Sequence, residues 1–245
     1  KLKKKYELTK RIFLEQSLHK LKTYFSKDLL NGVFNIFSFQ INKTLNQVNA
    51  SELKEPHLVQ LFNRFATYNG SSPYKTPGMM TLVQHLEQEY GTFVSDKGMQ
   101  NITNSLYNLA LRQGIDFKFN NYVSEILVSN NIATGIKVGD KTYESDIVIS
   151  NMDVVPTYRN LLKNHYQPEK ILNQERSSSA LIFYWGVKKE FKNLDLHNIF
   201  FSKDYKNEFQ TIFENNTISV DPTIYINITS KDVKGDAPIN CENWF

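Results

Sequence analysis

Five histidines (His19, His57, His85, His165 and His197) are the first groups to weigh for chemistry. No two stand four residues apart, so no helix presents the paired ring nitrogens of a zinc hydrolase, and no metal site is expected. No Gly-x-Ser-x-Gly turn raises a serine into a nucleophile's position. Cys241, the sole cysteine, has no helix start or basic cluster near it to favour a thiolate, and it reads as inert. The catalytic residues are therefore unknown, because no side chain presents itself as an acid or base. The unusual text is residues 64–77, where Arg64, Phe65, Tyr68 and Tyr74 mix with Asn69, Gly70, Ser71, Ser72, Pro73 and Pro77. Gly, Ser and Pro break a helix, so this stretch reads as a loop. Aromatics and hydroxyls together are an odd mixture for a solvated loop. Two readings stand: a connection that packs its tyrosine rings, or the lining of a mostly apolar site with few polar groups.

The elements that position such a site centre on residues 91–153. Ile102, Leu106, Leu109 and Ala110 make one apolar stripe at helical spacing across residues 99–113, expected to be buried, and Gly114 follows where a C-cap belongs. Strands are expected at residues 115–119, 123–128, 132–138 and 146–150. Asn130-Asn131 and Gly139-Asp140 suit the tight turns between them. Ile147, Val148 and Ile149 are apolar on both faces, as in a strand buried between two layers. Such a unit is too small to be a whole domain. Further along, residues 168–174 read as helix, and residues 178–187, 198–202, 223–229 and 243–245 read as strands of an antiparallel sheet. In the first third, residues 51–55 ahead of Pro56 read as a helix start, followed by a helical pattern through Leu61, Phe62 and Phe65. Phe34, Ile36, Phe37 and Phe39 read as core, with an apolar tunnel wall as the other reading.

At 245 residues the chain suits one large domain or two small ones. Apolar content of 40%, with 17 Phe and 13 Tyr, is enough for a core, and no run is long enough to span a bilayer. One cysteine allows no internal disulfide, which fits a reducing compartment. No apolar h-region follows Lys1, so a cytoplasmic location is expected. The net charge of +4 is concentrated at the N-terminus, where Lys1, Lys3, Lys4, Lys5, Lys10, Arg11, Lys20, Lys22 and Lys27 face only Glu7 and Glu15. Leu14, Leu18, Leu21 and Phe25 fall on one face of a helix drawn through residues 1–27. That helix has a solvated basic face, or it lies on an anionic membrane at about 1 kcal/mol per cation. Nucleic acid is not an expected partner, since no stacking platform interleaves with the basic residues.

Several stretches resemble bacterial-type phytoene and carotenoid desaturases, the hydroxycarotenoid 3,4-desaturases in particular. They are Arg64-Phe65-Ala66-Thr67-Tyr68-Asn69-Gly70-Ser71-Ser72-Pro73-Tyr74, Leu82-Val83-Gln84-His85-Leu86-Glu87 with Gly91-Thr92-Phe93, and Ser150-Asn151-Met152-Asp153-Val154-Val155 with Thr157-Tyr158. Gly235-Asp236-Ala237-Pro238 and Cys241-Glu242-Asn243-Trp244-Phe245 complete the set. The chain departs from the family where Val94-Ser95-Asp96-Lys97-Gly98-Met99 replaces an aromatic-Pro-x-Gly-Gly-Met loop. It also carries no Gly-x-Gly-x-x-Gly turn to seat a pyrophosphate. The expectation is an internal piece that binds FAD poorly or not at all by itself.

The resemblance implies an α+β or α/β fold, the middle portion of a two-domain FAD-dependent oxidoreductase. Residues 1–90 would be the helical part of a substrate domain with a membrane-facing basic helix. Residues 91–155 would be the middle of the flavin domain, and residues 156–245 the antiparallel sheet of the substrate domain. The implied activity is desaturation of a carotenoid, in which FAD takes a hydride from an allylic carbon and the protein positions the polyene. Val123 and Ser124 would lie along the adenine, and Asn151 would face the cofactor. Phe65, Tyr68, Tyr74 and Phe93 would line the polyene channel. A polyene or retinoid reductase of the same fold, and a non-catalytic apolar-ligand-binding remnant, are the alternatives. A peripheral membrane location is implied, with the oligomeric state open.

Overall fold

Hydroxyl side chains, more than the basic ones, decide how the N-terminal residues fold. The computed structural model describes residues 2–10, 15, 17, 19–35, 39–95 and 98–245. Helix α1 (Leu2–Thr9) ends at Thr9, whose Oγ1 donates to the carbonyls of Lys5 and Tyr6. Two further helices follow, α2 (Leu21–Tyr24) and α3 (Lys27–Phe34). Ser26 restarts the chain as a cap, its Oγ accepting from Leu29 N (3.2 Å). Short hydroxyls compete with the helix backbone in this way, so the single helix expected over residues 1–27 is not formed. Leu14 and Leu18 lie outside the described residues, while Leu21 and Phe25 are exposed. Lys5 is not on a solvated face: it is 6% exposed and donates to Thr81 Oγ1 (3.1 Å) and to Gln40. Tyr6 packs on His85 and Tyr90 at ring separations of 5.5 and 5.6 Å. Phe39 is core, Phe34 is exposed, and Ile36 and Phe37 lie outside the described residues.

Helix α4 (Leu45–Glu52) opens with a capping box between Thr44 and Gln47. Ser51 and Glu52 end α4, and the helix start expected from residues 51–55 falls at Glu55. Helix α5 (Pro56–Asn63) begins with Pro at its first position and Glu55 as N-cap, its carboxylate accepting from Leu58 N (2.7 Å). Arg64–Asn69 continues as a 3-10 turn, so the loop expected from Arg64 starts only at Gly70. There φ is +58°, and a Cβ would stand 2.9 Å from Ser177 Cβ, a position glycine alone fills without strain. A second 3-10 turn, Gly78–Thr81, leads into α6 (Leu82–Tyr90).

Two units form, one from Lys1–Thr92 with Ser177–Phe245 and the other from Phe93–Arg176. The second unit holds α7 (Gln100–Arg112), closed by Gly114 at φ +79°; the stripe of Ile102, Leu106 and Leu109 forms on it but is exposed, not buried, since none of the described elements covers it. Residues 115–119 are not a strand. Phe117 and Phe119 turn back onto Tyr107, with ring centroids 4.6 and 5.9 Å away, and that stacking displaces pairing. Strands β1 (Val123–Ser129), β2 (Ile132–Val138) and β3 (Lys141–Glu144) form an antiparallel meander in that order. Asn130 and Asn131 (φ 52° and 62°) and Gly139 (φ 57°) make the turns. The fourth strand expected at 146–150 is absent. Ile147 and Ile149 are exposed, the latter 87%, because no second layer covers them and no described strand pairs with them. Short helices α8 (Val154–Pro156) and α9 (Glu169–Leu172) flank a π-helical turn, Thr157–Leu161. Ile126, Leu161 and Leu172 are the core.

The first unit resumes with β4 (Trp185–Val187), β5 (His197–Phe200), α10 (Tyr205–Glu214), β6 (Ile224–Asn227) and β7 (Glu242–Trp244). Of the strand expected over residues 178–187, only β4 pairs, opposite β7; Leu181 to Tyr184 stay exposed. Alternation predicts a strand but not its neighbour. Strand β5 pairs with β6. β4–β7 and β5–β6 are each two-stranded sheets, and Asn227 and Phe245 exchange backbone hydrogen bonds (2.7 and 3.1 Å) that set the residue after β7 beside β6.

Two predictions test this frame. A Cβ at Gly135 would overlap the Tyr143 carbonyl and come within 3.0 Å of Glu144 Cα. Gly135→Ala should therefore open the β2–β3 pair and cost about 1–3 kcal/mol in denaturant unfolding of the chain. Glu242, only 2% exposed, accepts from Lys231 Nζ (2.6 Å), Phe191 N (2.8 Å) and Trp244 Nε1 (2.8 Å). Burial opposes its charge, but these donors outweigh it and hold the carboxyl below the usual range. A depressed folded pKa contributes stability above the unfolded value and loses it as pH falls through the folded one. The melting temperature should hold from pH 7 to about 5 and fall below about 4.3. Glu242→Gln should flatten that fall and lower stability at pH 7 by about 3 kcal/mol.

Candidate functional site

Phe65 and Tyr68 sit on one side of the 3-10 turn, rings 5.7 Å apart, with Phe62 stacked 6.1 Å from Phe65. The Arg64 guanidinium lies over both faces, 5.1 Å from the Phe65 ring and 5.8 Å from that of Tyr68. Phe65 is buried and Tyr68 is 57% exposed. Tyr68 donates to Glu87 Oε2 (3.0 Å), which ties the turn to α6. Burial, then the Glu87 carboxylate, raise the Tyr68 phenol, with Arg64 pulling the other way.

Tyr74 belongs to a second aromatic group. It meets Phe209 edge-on at 6.2 Å, and Phe209 in turn packs on Tyr205 (5.0 Å) and Phe213 (6.1 Å). Phe201 closes on Tyr205 at 5.6 Å. Burial raises the Tyr74 phenol, helped by Asp204 and Glu208; burial also pushes the Tyr205 phenol well above its usual range. Glu208 beneath this group is itself buried and accepts from Thr223 N (2.6 Å) and Thr223 Oγ1 (2.7 Å). Tyr205, Phe209 and Phe213 stand at i, i+4 and i+8, so the spacing that marks α10 was in the text of the chain. Of the expected lining residues, Phe65 and Tyr68 are in contact and Tyr74 joins the neighbouring cluster. Phe93 lies in the other unit, 86% exposed.

Val123 and Ser124 open β1, which is an edge strand of the meander. The register slips between Val123 and Glu125, so Ser124 is a bulge, its Oγ donating to Lys137 O (3.3 Å). Asn151 is exposed in the turn where Ser150 Oγ meets Thr157 Oγ1 (3.0 Å) and Thr157 Oγ1 donates to Met152 O (3.2 Å). The π-helical turn containing Thr157 packs on β1. Asp153 closes the same turn, accepting from Val155 N (2.9 Å) and pairing with Arg176 (3.0 Å). Gly98 holds φ +80°, but Asp96 and Lys97, where the chain departs from the family loop, lie outside the described residues.

The fold is shared with a solved structure. The chain superposes on an oxidoreductase from Methanosarcina mazei with a TM-score of 0.56 at 15% identity, covering 94% of this chain and 53% of that one. No protein-family model matches it. In sequence it is 55% identical over 243 residues to a 1-hydroxycarotenoid 3,4-desaturase of Flavobacterium sp. (strain P99-3), which is 99% of this chain and 50% of the relative. A 4,4'-diapolycopene oxygenase of Methylomonas sp. is 31% identical over 84% of this chain and 42% of its own length. A 4,4'-diaponeurosporene oxygenase of Staphylococcus aureus is 30% identical over 87% and 43%. The chain belongs to the bacterial-type carotenoid desaturase family, and it spans about half the length of the relatives it matches.

Proposed function

We propose that this chain is part of an FAD-dependent carotenoid desaturase acting on a hydroxycarotenoid. The single observation behind this reading is the 55% identity that runs through 99% of the chain to a 1-hydroxycarotenoid 3,4-desaturase. Phe93–Arg176 would then serve the cofactor, and the other unit the substrate. Val123 on its edge strand offers main-chain donors and acceptors suited to an adenine edge. Asn151 offers an amide on the neighbouring turn. No phosphate cradle lies among these residues, so the fit covers one end of the cofactor only. FAD, when bound, supplies hydride acceptance from an allylic carbon. The chain's own contribution is positioning and exclusion of water. Phe65 and Tyr68 present ring faces to an apolar chain, and Tyr74 contributes through the α10 cluster.

Purified full-length protein should be yellow with flavin absorbance and should convert a 1-hydroxycarotenoid to its 3,4-didehydro product. A colourless protein, or one that only binds polyene, would favour the ligand-binding remnant. Hydrogenation of the product would favour the reductase. Tyr68→Ala should lower kcat/KM by roughly tenfold through lost ring contact while leaving the flavin spectrum intact. The same reading places the protein at a membrane surface. Leu21, Phe25 and Phe34 are exposed beside Lys20, Lys22 and Lys27, and no helix among the described residues is long and apolar enough to cross a bilayer. Replacing Lys3, Lys4 and Lys10 by Glu should release the protein from anionic vesicles in a flotation assay, at about 1 kcal/mol per cation removed. Lys5 is left out because it is buried.

A further inference from the structure

The β5–β6 pair carries a polar cluster that the reading above does not use. His197 stands opposite Asn227 in the β5–β6 register, and Tyr225 lies diagonally on the same face. His197 Nδ1 is 2.7 Å from the Tyr225 hydroxyl, and the rings stack at 6.0 Å. Asn227 Nδ2 lies 3.2 Å from the Leu196 carbonyl, 3.2 Å from His197 Nδ1 and 3.3 Å from the Tyr225 hydroxyl. A carbonyl only accepts, so the Leu196 contact fixes which end of the amide is the NH2. That NH2 faces Nδ1, which must then accept, and the neutral ring carries its proton on Nε2. Among the described residues nothing bonds Nε2. The cluster thus presents one N–H donor and a phenol on an exposed face.

What lies beside it is apolar. Asn227 exchanges backbone bonds with Phe245, which puts Phe245 next in the row, and Tyr184 follows with its ring 5.6 Å from that of Phe245. Strands lie about 4.8 Å apart, so the row from His197 to Tyr184 runs about 14 Å across the strands. It is polar at one end, aromatic at the other, and holds no charged side chain. Tyr184, Tyr225 and Phe245 are all exposed, and a contiguous apolar strip on a surface marks a binding face. A polypeptide carries a carbonyl and an N–H at every residue, and the aromatic end of the row offers those groups no partner. A hydrocarbon ending in one hydroxyl matches both ends of the row.

We infer that His197, Tyr225 and Asn227 recognise the terminal hydroxyl of a linear apolar ligand whose hydrocarbon lies over Phe245 and Tyr184. This rests on the desaturase reading for the nature of the ligand, and it makes the cluster the source of the preference for a hydroxylated polyene. The test uses full-length protein in vesicles with a 1-hydroxycarotenoid and its non-hydroxylated parent. Wild type should favour the hydroxylated substrate in kcat/KM. Tyr225→Phe and His197→Phe each remove one hydrogen bond and keep an aromatic ring, so each should cut that ratio by about three- to tenfold. Tyr184→Ala should weaken both substrates together. An unchanged ratio in both Phe variants, or a loss shared equally by the two substrates with a lower melting temperature, would overturn the inference and make the cluster a structural seam. If wild type turns over neither polyene, the desaturase reading falls. Polyene binding, read as an absorbance shift, then decides: a hydroxyl preference lost in Tyr225→Phe supports the inference, and no preference in wild type overturns it.

Discussion

The first turn of α4 has N–H groups with no partner inside the helix, and the aromatic segment supplies two of the acceptors. Leu45 N donates to Thr76 O (2.7 Å) and Asn46 N to Pro73 O (3.0 Å), while Thr44 satisfies Gln47 N. Behind this runs a chain of buried amides. Asn63 Nδ2 donates to Asn46 Oδ1 (2.8 Å), Asn49 Nδ2 to Asn63 Oδ1 (2.9 Å) and Gln84 Nε2 to Asn49 Oδ1 (3.5 Å). Those contacts tie α4, α5 and α6 together. Leaving one buried amide unpaired costs about 1–3 kcal/mol, so the network tolerates one arrangement and penalises others. Residues 64–77 are fixed by this polar constraint. The rings of Phe65, Tyr68 and Tyr74 are its consequence rather than its cause.

Much of the second unit was legible because its signals are local. The stripe of Ile102, Leu106 and Leu109, the glycine after it, and the paired asparagines at 130 and 131 each specify backbone geometry within a few residues. The failures share one cause. At 115–119, 147–149 and 178–184 an extended pattern was present and a partner strand was not, and composition cannot report a missing neighbour. Residues 1–27 failed differently: the apolar stripe suited one helix, but α1 closes at Thr9, and α2 and α3 follow as separate helices, the latter capped by Ser26.

The site was legible as composition and not as arrangement. Residues 64–77 announced an aromatic segment, yet nothing local placed Tyr74 beside α10 instead of Tyr68. That contact depends on Gln60 Nε2 reaching Ser202 O (2.9 Å) and on Thr223 meeting Glu208, pairs more than a dozen residues apart in sequence. The His197–Tyr225–Asn227 cluster was equally invisible, since it exists only in the β5–β6 register.

Charge placement around the rings follows one rule. Three carboxylates near the candidate wall are each hydrogen-bonded: Glu87 by the Tyr68 hydroxyl, Glu208 by both donors of Thr223 and Asp204 by Asn207 N. The cations lie over rings as well: Arg64 over Phe65 and Tyr68, and Lys75 over Phe213 at 5.9 Å. Burial together with these carboxylates raises the phenols of Tyr68, Tyr74 and Tyr205, so all three stay neutral across the physiological range. A wall built this way shows π faces to an apolar ligand and no free charge. Positive charge that develops on a polyene would meet the negative faces of rings, which stabilise a cation without offering a nucleophile to capture it. Under the desaturase reading, rings backed by engaged charges are what a hydrocarbon chemistry asks of its surroundings.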